Sequence, residues 1–254
     1  NPETMAELDE RLLTTPPIAL ERCREVASDM AKTAAEALRE SLLMLKNYSP
    51  KTAASIREKE AKTDYYEDIL GTYLVKLSAC QISAADSTEA AKLLKLIGDF
   101  ERISDHAVNL LESAEEMQSK NLPFTDAASH ELSVLSSAVE EILSLSLNAF
   151  LDNDLDAASM VEPLKQVINH LKEQMRSRHI LRLQRGNCST TAGFIWSDLL
   201  TDLERTAEHC SNIAGCITDI SRSSMNLHES LREFREGGED FLPKYNAYAG
   251  KYSL

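Results

Sequence analysis

One run of charged and polar residues is written twice in this chain. Asp99, Glu101, Arg102, Asp105, His106 and Asn109 match Asp202, Glu204, Arg205, Glu208, His209 and Asn212, at a constant ungapped offset (Asp99 to Asp202). On an α-helix, residues four apart stand one above the other, with Cβ atoms about 5–6 Å apart. Glu101 with Asp105 and Glu204 with Glu208 are such pairs. Like charges at this spacing repel, and a cation held between their oxygens offsets the repulsion. Carboxylates suit hard and borderline cations, so the ion would be Mg, Fe, Zn or Ni.

A second stretch supplies a facing set. In "REKEAKTDYYEDIL", Glu60 and Asp64 are again four apart, and Asp68 extends the stripe. If the two helices run antiparallel, Glu60, Asp64, Glu101 and Asp105 form a four-carboxylate cage for one ion or a small cluster. The matching stretch later in the chain is "PLKQVINHLKEQM", which puts Lys165, Asn169 and Lys172 where Glu60, Asp64 and Glu67 stand. The second cage is therefore depleted, with Glu162 and Gln166 one turn earlier as partial replacements beside Asn169. Asp99, Asp202, His106 and His209 are additional donors to consider at the two sites.

Plainer roles compete with ligation for each of these residues. Arg102 and Arg205 stand three residues after Asp99 and Asp202, a spacing for salt bridges along one helix. His106 and His209 fit helix packing or hydrogen bonding, and Asn109 and Asn212 fit buried amide bridges between helices. Tyr65, Tyr66 and Tyr73 fit packing between helices.

The elements that carry these residues are helical. Gly (8) and Pro (7) are few for 254 residues, and strong helix formers dominate. Breakers fall at "TTPP", "NYSP", "AADS", "NLPFTD", "DNDLD" and "RGNCSTTAG", separating six long segments with helical periodicity. In the third, Leu93, Leu94, Ile97, Ile103, Val108 and Leu111 mark the apolar face, and Asp86 and Ser87 are capping candidates. Short links make neighbouring helices antiparallel. The repeated run ends the third and the sixth helix, so the unit is three helices written twice. The expected architecture is all-α: two tandem three-helix bundles related by an internal repeat, with a short C-terminal helix near Met225 to Arg235 and a polar tail after it. The divisions are 1–15 as a linker, 16–122 and 123–223 as the two repeats, and 224–254 as the C-terminal helix and tail.

Charge narrows the partners. Acidic residues (41) outnumber basic ones (27), a formal charge of -14, which disfavours nucleic acid and anionic lipid surfaces and favours cations or basic protein faces. The apolar stretch "VEEILSLSLNAFLDND" is interrupted by acids, so no membrane insertion is expected. Five cysteines without a C-x-x-C pair read as reduced thiols in a cytosolic compartment. The chain begins with Asn rather than Met, and we expect it to be a fragment of a longer protein.

"DFERISDHAVNL" and "DLERTAEHCSNIAG" resemble the duplicated signature of PhoU-like proteins. The wider wording, "LDERLLTTPPIALERC" and the stretch from "VEPLKQVINHLKEQM" to "DLERTAEHCSNIA", resembles the C-terminal cytoplasmic region of bacterial Na⁺/phosphate cotransporters that carry such a domain. The resemblance implies two three-helix bundles, metal binding through paired E/D-x-x-x-D motifs, and control of phosphate uptake without catalysis. Its partner would be a membrane-embedded Na⁺/phosphate transporter domain of the same polypeptide, at the cytoplasmic side of the inner membrane, with a homodimer as a further assembly. Residues 1–13 would then be a linker that packs poorly when its neighbour is absent. Glu208 in place of Asp and Asn169 in place of an acid depart from the pattern in the second half.

Two other functions remain open on the residues. A free-standing phosphate-signalling regulator or adaptor would use the acidic surface to bind a partner. A di-metal carboxylate enzyme on a helical bundle needs E-x-x-H pairs, but Ser104 and Ala207 stand three residues after Glu101 and Glu204.

Overall fold

A computed structural model describes residues 8–222 and 240–254. Six long helices follow a short 3-10 turn at Glu10–Thr14: α1 (Pro16–Met44), α2 (Pro50–Ser78), α3 (Ala84–Lys120), α4 (Asp126–Asp152), α5 (Leu155–Gln184) and α6 (Thr190–Arg222). A shorter helix, α7, spans Phe241–Lys251, and no strand occurs among the described residues.

Each breaker in the sequence becomes a start or a stop with a physical cause. Ser49, Thr125 and Asp154 accept hydrogen bonds from the backbone N–H of Thr52, Ala128 and Ala157, satisfying donors the first helical turn leaves unpaired. Pro pairs at Pro16–Pro17 and a Pro at position 50 occupy first turns, where a missing N–H costs nothing. Asn121 and Asn153 end α3 and α4 in the left-handed region (φ 51°), and Gly186 turns after α5 with φ 71°. The start of α3 differs from the expectation. Ser83, not Asp86 or Ser87, is its cap and accepts from the Asp86 N–H, because a hydroxyl three residues earlier reaches the same donor. The helix runs for 37 residues, about 55 Å at 1.5 Å per residue.

Helices α1, α2 and α3 pack on one another, as do α4, α5 and α6, giving two three-helix bundles in tandem. The bundles join where α3 packs on α6 and α1 on α4. Across the junction the rings of Phe100 on α3 and Phe150 on α4 lie 4.8 Å apart, and Arg39 on α1 donates to Ser144 Oγ on α4 at 3.0 Å. The buried face of helix α1 mixes small residues, Ala19, Ala27, Ala34, Ala35 and Ala37, with Leu20, Met30 and Leu38. Helix α3 buries Leu93, Ile97, Ile103 and Leu111, whereas Leu94 is exposed. Tyr66 and Tyr73 are buried and Tyr65 is not. Helix α4 is long and apolar enough to cross a membrane by length and composition, but Leu135, Val139, Ile142 and Leu143 lie in the bundle core.

Both chain ends depart from expectation. Leu8, Leu12 and Leu13 pack against the core, and Tyr73 donates to the Asp9 carbonyl at 2.9 Å, so residues 8–13 are held rather than loose. The stretch Met225 to Arg235 lies outside the described residues. The segment taken as a polar tail instead contains α7, whose Tyr248 donates to Met160 Sδ on α5, while Lys251 and Tyr252 bond Glu141 on α4. Aromatic residues on one side of an otherwise polar segment supplied enough apolar surface to dock it. All five cysteines are free. Burial pushes the Cys23 and Cys210 thiols up to about 12, which keeps them as unreactive thiols.

The fully buried Ala37 of α1 generates a stability prediction. Ala37→Leu should destabilise the chain by about 1–3 kcal/mol through overpacking, while Ala61→Leu at an exposed position should leave it near wild type. Chemical denaturation of both variants measures the difference, and equal stabilities would show that Ala37 has room for a larger side chain.

Candidate metal site and inter-repeat clasp

The repeated run divides by helix geometry. At about 100° per residue, Asp99 and His106 fall on one face of α3, and Glu101 and Asp105 fall on the opposite one. The first face points to α6 and the second to α2.

On the α6 side the two repeats hold each other. Asp202 Oδ1 lies 3.0 Å from His106 Nδ1 and accepts from Asn109 Nδ2 at 3.2 Å. Asp99 Oδ1 lies 3.0 Å from His209 Nδ1 and accepts from Asn212 Nδ2 at 3.3 Å. An ionised carboxylate only accepts, so each imidazole presents Nδ1–H to it. The two imidazole rings lie 5.5 Å apart at 31°. Asp99, Asp202 and His106 are buried, and Asp99 Oδ2 is buried with no hydrogen-bond partner. Asp99, Asp202, His106 and His209 therefore stand in the clasp and outside the acidic groups on the α2 side. Asp99 and Asp202 also do not pair with Arg102 and Arg205 along their own helices. Arg102 is exposed, and its ion-pair contact is Glu101 at 4.0 Å. A carboxylate reached by an imidazole and an amide from the other bundle has no need of a flexible surface guanidinium. Asn109 and Asn212 do bridge helices, although Asn109 is exposed and Asn212 half-buried.

On the α2 side the acids converge. Oxygens of Glu60, Asp64 and Asp105 lie within 4.8 Å of one another, and so do those of Asp64, Glu67 and Glu101. Asp64 belongs to both groups and joins them into one cluster of carboxylates along the α2–α3 seam. Asp68 is exposed and belongs to neither. Glu67 was the residue missed: three and four residues after Asp64 are equally good helical neighbours, and only the placement of α3 selects Glu67 over Asp68. Burial, then Asp64 and Asp105, raise Glu60 to about 7. Burial, then Asp105, Glu67 and Asp64, raise Glu101 to about 8. Glu67 is raised by burial and by the same neighbours.

The second half is built differently. Lys172 Nζ pairs with Glu204, and Lys165 Nζ lies 3.4 Å from Glu208. Glu162 accepts from Gln166 at 3.0 Å and from Ser211 at 2.7 Å. Asn169 Oδ1 is buried with no partner.

Comparison with known proteins places the chain. The PhoU domain family matches residues 27–114 and 132–217, one stretch in each bundle. The chain belongs to the PhoU family. A phosphate-specific transport system accessory protein, PhoU homolog 1 of Thermotoga maritima, is 25% identical over 147 residues, covering 58% of this chain and 62% of that protein. The chain thus spans under two thirds of that relative's length. The crystal structure of PhoU from Pseudomonas aeruginosa superposes with a TM-score of 0.76 at 20% identity, over 81% of this chain and 98% of that one. The phosphate transport system regulatory protein PhoU from Streptococcus pneumoniae gives 0.69 at 16% identity, over 83% and 99%. At these identities the two structures establish the PhoU fold and no more.

Two predictions follow from the geometry. Asp202→Ala strips His106 and Asn109 of their acceptor and should cost about 1–3 kcal/mol of unfolding free energy, with Asp99→Ala costing a similar amount. Urea denaturation tests both, and wild-type stability in both variants would show that the clasp contributes nothing. The acid cluster sets a pH dependence for the metal-free chain. Glu60 and Glu101 bind protons more tightly folded than at their ordinary value of 4.5, so folding takes up protons. Their destabilising effect is absent below about pH 4.5, grows as pH rises and is complete above about pH 8. Melting temperature should fall across that window, and Glu60→Gln with Glu101→Gln should flatten the slope. An unchanged slope would show that these groups are not the source.

Proposed function

We propose that this chain is a regulator of phosphate transport that binds a metal ion through Glu60, Asp64, Glu67, Glu101 and Asp105. The observation that carries the reading is the acid cluster on α2 and α3 in a chain of the PhoU family. Carboxylates this close, two of them with raised proton affinity, favour a cation that replaces the bound protons. An all-oxygen donor set suits Mg²⁺ and iron better than Zn²⁺ or Ni²⁺, which are well served by nitrogen and sulfur. The chain acts by binding and not by catalysis, in keeping with the accessory role named for its Thermotoga relative.

Such a regulator would dock on a transporter at the cytoplasmic side of the inner membrane. The formal charge of -14 suits a basic protein face, and metal binding would stiffen the α2–α3 seam presented to it. The PhoU relatives favour an accessory regulator acting on a separate transporter. Attachment to a Na⁺/phosphate cotransporter is the finer reading, supported by the wording around Leu8 to Cys23. A second copy of the chain is a further partner under either.

Purification without chelator or His tag, followed by elemental analysis, should find metal in the wild-type protein and much less in Glu101→Gln with Asp105→Asn. Cells carrying that variant should lose the response of labelled phosphate uptake to external phosphate. Wild-type uptake and response in the variant would overturn the regulatory reading.

A further inference from the structure

The contacts in the two bundles match position for position. In the first, Glu60 meets Asp105 and Glu67 meets Glu101. In the second, Lys165 meets Glu208 and Lys172 meets Glu204. The register implied by the repeat is thus the register of the side-chain contacts. At these two places, where the first bundle sets acid against acid, the second sets an ammonium group against acid. Lys172 is 8% exposed, a burial that an ammonium group tolerates only with a carboxylate at hand. Asn169, where Asp64 stands in the first half, carries no charge, so the second half is balanced without any ion.

We propose that Lys165 and Lys172 are built-in cations that stand in for a metal ion, so that the protein loads metal in its first half only. The inference rests on the metal reading of the first half and extends it to the number of sites and their selectivity. An ammonium group on a tether cannot be removed by a chelator or by depletion of the ion. The second bundle is therefore a permanently charge-balanced scaffold, and the first is the half whose rigidity follows metal supply. The clasp couples them, because α3 carries both Glu101 and the groups that hold Asp202. Restoring acids at three positions should convert the second half into a metal site.

The full chain is equilibrated anaerobically with Fe²⁺, passed through gel filtration and assayed for bound iron. Glu204→Gln with Glu208→Gln, made together with Lys165→Met and Lys172→Met so that no ammonium group is left buried without its carboxylate, should leave the iron content at the wild-type level, while Glu101→Gln with Asp105→Asn should abolish it. Lys165→Glu, Asn169→Asp and Lys172→Glu together should double it, and adding these three to the first-half variant should restore wild-type content. If the Glu204 and Glu208 change removes half of the iron, the proposal is overturned while the first-half reading stands. The proposal is likewise overturned if the triple change adds no iron to a chain whose circular dichroism matches wild type. If the triple change unfolds the chain, the Glu204 and Glu208 variant still decides the matter. A wild-type chain that binds no iron overturns both readings.

Discussion

The reciprocal hold between Asp99 and His209 with Asn212, and between Asp202 and His106 with Asn109, fixes how the two bundles sit against each other. A carboxylate buried at a helix interface needs polar partners, since leaving it bare costs more than a typical hydrogen bond contributes. Here neither bundle satisfies its own Asp, and each depends on the other. That dependence makes the arrangement specific, because sliding α3 along α6 by one turn would strand two acids and two imidazoles. With α3 fixed in rotation, Glu101 and Asp105 have one direction left to face, which is toward α2.

Electrostatics then separates the halves that topology makes alike. The α2–α3 seam gathers carboxylates whose repulsion and burial hold protons on Glu60 and Glu101 well above the usual range. The α5–α6 seam answers the same backbone geometry with Lys165 and Lys172. A duplicated fold thus carries one seam where carboxylates meet carboxylates and one that already contains two ammonium groups.

Helix α7 adds to this frame from outside the residues matched to the family. It lies on α5, and Tyr248 and Tyr252 are buried there with their rings 6.5 Å apart. An 11-residue helix has little stability alone. Its structure therefore depends on the bundle surface it covers, through the tyrosines and the Lys251–Glu141 ion pair.

Local chemistry was legible in the sequence. Caps, prolines and left-handed Asn residues act within a few residues of themselves, so the six long helices could be read from the breakers between them, although the capping candidates read for α3, Asp86 and Ser87, gave way to Ser83. The duplication was legible because an ungapped repeat needs no structure to be seen. The partners of the repeated residues were not legible, because helical spacing gives a face but not what that face meets. Asp99 looked like the partner of Arg102, three residues away, and is held instead by His209 and Asn212, over a hundred residues on. Asp68 was the candidate and Glu67 was missed, because only the packing of α3 on α2 selects the position three residues after Asp64 over the one four after it. Lys172 read as a gap in a cage, and only its contact with Glu204 showed an ion pair filling that gap. Sequence alone determined the helices and their repetition, since these depend on short-range forces. Tertiary structure decided which charges meet, since that depends on the rotation of each helix about its axis, which the whole core sets at once.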